Sequence, residues 1–114
     1  MGATGVLLAA FGEHSLAARL EPHALATFET GARYQLTHAL AMGLAALAAR
    51  GAARVLAERA AMLFLTGILL FSGSLYGLAL SGIRVIGFAT PLGGLALIAG
   101  WILLALAALK LEKP

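Results

Sequence analysis

Cysteine is absent from the 114 residues, which excludes disulfides, thiolate nucleophiles and cysteine-ligated metals and leaves the compartment open. Charge is scarce too. Asp, Glu, Lys and Arg make up 11% of the chain, against about a quarter in a soluble domain. That is too little charge to coat a water-facing surface. The net charge is +3, and the basic residues stand at helix ends rather than in one cluster, so a nucleic-acid partner is not expected. Catalytic signatures are also missing. There is no nucleophile motif, phosphate-binding glycine loop or acid pair, and the three histidines do not take the H-E-x-x-H spacing of a zinc site. No enzyme activity, metal or cofactor is therefore expected.

What the chain has instead is apolar length. Hydrophobic residues make up 61% of it. Two runs, 60–80 and 91–109, each approach the roughly 20 residues that a bilayer-spanning helix needs. The link 81–90 joins them. A further span covers 34–49, with a polar outer end. The run 2–12 is too short to cross alone, and Glu13 and His14 follow it with no basic residue ahead, which makes a poor signal peptide. Either the helix continues past Glu13 and His14 to about Leu20, or the first helix is shortened and the natural chain starts upstream. Glu21-Pro22 is a helix start, with proline suited to the first turn. Leu25, Phe28 and Ala32 follow at helical spacing with polar residues on the other faces. That pattern suits a short interfacial helix, with Gly31 as a bend before the second span; a solvated connector is the alternative.

These elements predict one all-α transmembrane domain over residues 1–114. It is a four-helix bundle with helices near 2–20, 22–49, 58–81 and 90–111, a shortened first helix and the interfacial helix before the second span. Four spans put Arg50, Arg54, Arg59, Lys110 and Lys113 on one side and Arg19, Arg33 and Arg84 on the other. The excess of Lys and Arg marks the cytoplasmic side, so both termini are expected there.

In that topology the polar residues of the spans fall in the outer half. Glu13, His14, Tyr34, Gln35, His38, Ser72 and Tyr76 form the expected cluster. Tyr34, Gln35 and His38 share a face, as do Ser72 and Tyr76, by their spacing of three or four. His38 is the deepest ionisable group in a secure span and is expected to face the bundle, bonded to His14, Glu13, Ser72 or Tyr76. The leading reading of the cluster is interhelical hydrogen bonding. The alternative is a pocket for a lipid, a small ligand or a proton. For helix packing, Gly73 and Gly77 form a G-x-x-x-G, and Gly93 and Gly100 flank Ala96 on a small-residue stripe. Thr90 is a candidate N-cap for Pro91. Trp101 lies mid-span by count and reads as a packing residue.

Several of these residues recur as a pattern. Ala10-Phe11-Gly12-Glu13-His14, Tyr34-Gln35 with His38, Phe71-Ser72-Gly73-Ser74-Leu75-Tyr76, Thr90-Pro91 with Gly93-Gly94, and Gly100-Trp101 together resemble the YgdD-like family. Its members are small inner-membrane proteins, a domain of unknown function with eukaryotic transmembrane relatives. The resemblance runs from about residue 8 to 111. The family usually has glycine where Ala9 stands, alanine where Glu13 stands, and further apolar residues ahead of this point. It implies an inner-membrane location and carries no catalytic residue. The expected role is structural or accessory, with membrane lipid as partner and a homo-oligomer left open. The alternative is a small transporter or a lipid or ligand binder using the polar cluster.

Overall fold

The computed structural model describes residues 1–111; Lys113, counted above in the basic bias, lies outside the described residues with its two neighbours. Four helices are present: α1 (Gly2–His14), α2 (Pro22–Ala48), α3 (Arg54–Ser81) and α4 (Ala89–Leu111). Short 3-10 turns at Leu16–Ala18, Gly51–Ala53 and Arg84–Phe88 join them, and the described residues contain no strand.

The boundaries follow from local chemistry. Pro22 opens α2, where a missing N–H costs nothing. α3 stops at Gly82, whose φ of 72° lies in the left-handed region that glycine enters freely, and its N–H bonds back to the Leu78 carbonyl. α1 ends at His14, short of the expected Leu20. The turn that follows tucks Leu16, 4% exposed, against Phe28 and Ala79. Burying that leucine outweighs one more helical turn.

The interfacial helix expected before the second span is not a separate element. α2 is continuous for 27 residues, about 40 Å at the helical rise. Gly31 is no bend. A Cβ there would stand 2.8 Å from the Tyr76 ring and 3.3 Å from the Ser72 carbonyl, so this glycine lets α3 approach.

Neighbouring helices are antiparallel. Gly5 meets Leu36 and Gly12 meets Phe28 between α1 and α2. Tyr34 meets Phe71 and His38 meets Phe64 between α2 and α3. α3 then packs α4 through three glycines. A Cβ on Gly67 would collide with Leu97, one on Gly93 with the Phe71 backbone, and one on Gly100 would lie 2.8 Å from the Phe64 ring. Gly73 is not on this seam, because a Cβ there meets nothing within 4 Å; Gly77 meets Ile86 of the following link at 3.2 Å. The helix phase explains it: Gly73 lies six residues from Gly67, more than a turn and a half, and points outward. Small residues fill the interior as well. Ala41, Ala45 and Ala60 pack with Phe64, Ile68 and Leu97, and Ala48, Ala53, Ala57 and Ala107 close the other end.

The result is a flattened bundle, 55 × 27 × 14 Å, with α3 between α2 and α4. Leu40, Leu47, Met62, Leu69, Leu92, Leu95, Ile98 and Leu109 stand exposed on its outside. Two stretches, Gly51–Ser81 and Arg84–Leu111, are long and apolar enough to cross a membrane. α2 matches them in length, but the half nearer Pro22 carries His23, Glu29, Thr30 and Arg33.

Candidate functional site: interhelical polar contacts and a lateral groove

The seven residues of the expected cluster do not converge. They divide among separate contacts at different depths.

His38 is 6% exposed. The Trp101 indole N–H of α4 donates to its Nε2 at 2.9 Å. Indole nitrogen can only donate, so Nε2 is the acceptor and the ring proton sits on Nδ1. Nδ1 in turn lies 2.7 Å from the Tyr34 carbonyl and donates to it. Both ring nitrogens are thereby satisfied, by none of the four partners expected. Tyr34, Phe64 and Trp101 surround the imidazole with ring centroids 5.7–5.8 Å away.

Gln35, 3% exposed, holds three helices together. Its Oε1 accepts the Tyr76 hydroxyl of α3 at 2.6 Å. Its Nε2 donates to the Met1 carbonyl at 2.9 Å and to Thr4 Oγ1 at 2.8 Å, both at the start of α1. Tyr76 also packs on Phe28, centroids 4.9 Å apart. Ser74 and Thr90 share a short hydroxyl contact between α3 and α4, while Ser74 donates to the Phe71 carbonyl at 2.8 Å. Thr90 therefore lies inside α4, bonded across to α3, rather than capping the helix. Ser72 is fully buried and its hydroxyl has no partner among the described residues.

Glu13 and His14 are exposed at the end of α1. Antiparallel pairing sets Gly12 beside Phe28, ten residues from His38, or about 15 Å along α2. That distance removes both from the His38 site. Glu13 instead lines a shallow groove with Glu29 and Arg33. Among the described residues no three His, Asp or Glu side chains gather as metal ligands.

Residue type alone missed Trp101 as a partner. The available signal was depth: Trp101 counts to mid-span, His38 is the deepest ionisable group of the second span, and an indole N–H away from water needs an acceptor. Thr4 and the Met1 carbonyl carried no signal.

A groove of about 790 Å³ lies between α2 and α4, open to the side. Arg33, Tyr34, Thr37 and His38 of α2 line it with Phe71 of α3 and with Gly94, Leu97, Ile98 and Trp101 of α4.

A family model described as "Protein of unknown function (DUF423)" matches residues 8–94. The chain belongs to this family. Among its relatives it is 39% identical to the UPF0382 membrane protein YwdK of Bacillus subtilis (strain 168), over 96% of this chain and 94% of that one. It is 38% identical to the UPF0382 membrane protein SAB0533 of Staphylococcus aureus (strain bovine RF122 / ET3-1), over 96% and 93%. It is 37% identical to the UPF0382 inner membrane protein YgdD of Escherichia coli (strain K12), over 95% of this chain and 82% of that one. No solved structure matches. This DUF423 member is thus an all-α membrane protein of a family whose function is unknown.

Proposed function

We propose that this chain is a structural or accessory component of the inner membrane, neither a catalyst nor a transporter, with both termini in the cytoplasm. One observation carries the reading. The polar groups of the helices bind each other: His38 with Trp101, Gln35 with Tyr76 and Thr4, Ser74 with Thr90. A proton pathway or reaction centre needs polar groups converging on one accessible cavity. Here the polar groups bonded between helices are distributed over three contacts, each joining two or three helices, and of them only His38 and Trp101 line the lateral groove. The basic residues support the orientation, five against three.

Proteoliposomes holding a pH-sensitive dye test the role. Under an imposed pH gradient, protein-containing vesicles should leak no faster than empty ones. A protein-dependent proton flux that Glu13→Gln or His38→Gln removes would contradict it.

A further inference from the structure

We propose that the groove between α2 and α4 seats one anionic phospholipid, its phosphate on Arg33 and an acyl chain lying along α4 toward Trp101. This goes beyond the structural role and does not depend on it.

The first observation is the depth of Arg33. Tyr34 meets Phe71, ring centroids 4.5 Å apart, and Gly31 abuts the Ser72 carbonyl. Arg33 is therefore level with Phe71 and Ser72. The apolar run of α3 continues to Leu80, eight residues beyond Ser72 and about 12 Å at the helical rise. An arginine side chain covers only part of that distance. A guanidinium at such depth is costly in bare lipid and calls for a partner of opposite charge. Within this chain its side-chain bond goes to Thr30 Oγ1 on its own helix, at 3.4 Å. The single ion pair among the described residues is Arg54–Glu58. Glu13 and Glu29 flank Arg33 in the neighbouring shallow groove, outside ion-pair distance.

The second observation is the grading of the groove. Arg33, Tyr34 and Thr37 give its α2 wall a cation and two hydroxyls, while Leu97, Ile98 and Trp101 make the α4 wall apolar. A phosphate accepts from all three α2 groups, and Arg is suited to it by its fork of N–H donors. An acyl chain covers the apolar wall. The groove opens sideways from a bundle only 14 Å thick, so it faces bilayer lipid directly. A phospholipid supplies both halves in one molecule, drawn down so that its headgroup meets the arginine.

Trp101 lines this groove and is the only tryptophan in the chain, so its fluorescence reports the occupant. The full chain would be placed in phosphatidylcholine vesicles containing a small fraction of phosphatidylglycerol. Acyl-chain bromine, a fluorescence quencher, is placed on one lipid or the other. Brominated phosphatidylglycerol should quench as though enriched about fivefold over its bulk fraction, the preference that one basic residue confers on an anionic lipid. Arg33→Gln should abolish the enrichment and Arg33→Lys should keep part of it, with helical content unchanged by circular dichroism. Quenching by both lipids in proportion to their bulk fractions would overturn the proposal. So would an enrichment that survives Arg33→Gln. Equal shielding of Trp101 from both lipids would assign the groove to a second protein copy and overturn it as well.

Discussion

Trp101 of α4 donates its indole N–H to Nε2 of His38 in α2 across 2.9 Å, and Phe64 of α3 packs edge-on to the indole with centroids 5.2 Å apart. This contact joins two helices that α3 otherwise holds apart, and it places a donor-only group against an acceptor-only nitrogen. It also explains how the bundle keeps an imidazole in its interior: both nitrogens have partners, so no polar atom is left to lipid.

Glycine substitutions should separate the true helix seam from the apparent one. Gly93→Ala drives a methyl into the Phe71 backbone, which cannot move aside as a side-chain tip can. It should lower stability by about 1–3 kcal/mol, the usual cost of overpacking. Gly73→Leu meets open space and should leave the melting temperature in detergent unchanged, although G-x-x-x-G spacing singles this glycine out. Thermal melts of both variants followed by circular dichroism check the pair.

Two hydroxyls on α3 should respond in opposite ways. Tyr76→Phe removes the donor to Gln35 and strands a buried amide oxygen, costing about 1–3 kcal/mol. Ser72→Ala removes a buried hydroxyl that has no partner, so the variant should melt at the same temperature or higher. A large loss at Ser72 would mean that its hydroxyl has a partner.

What could be read in advance follows from the range of each interaction. α3 and α4 were legible because a long apolar run reports its own helix without reference to the rest of the chain. Gly93 and Gly73 were not separable that way. Both are small residues in spans, and only the relative rotation of α3 and α4 turns one toward the seam and the other outward. The interfacial helix was expected from the polar pattern between Glu21 and Arg33. Packing of Leu25 and Phe28 against Leu16, Leu20 and Ala79 extends α2 straight through it. The expected polar cluster took depth from helix counting and assumed convergence. Depth was informative for His38 and Trp101, but Glu13 and His14 were placed too near because α1 closes with a turn beside Phe28.

Orientation is tested by single cysteines in this cysteine-free chain. Ala53 is fully buried and unsuitable, so the probe belongs at its exposed neighbour Ala52. Ala52→Cys should react with a membrane-impermeant maleimide only after the cells are opened. Ile83→Cys, 53% exposed in the α3–α4 link, should react in intact cells. The reverse pattern would overturn the orientation.

The central claim is that deep polar groups here hold the helices together, and a double-mutant cycle across His38 and Trp101 tests it most directly. His38→Leu and Trp101→Phe would be compared with the double variant by thermal unfolding in detergent. Each single variant strands the other's polar nitrogen, whereas the double variant strands neither. The account predicts that the double variant loses clearly less stability than the two single losses combined, with coupling of about 0.6 kcal/mol or more. Additive losses, with no coupling between the two positions, would contradict it.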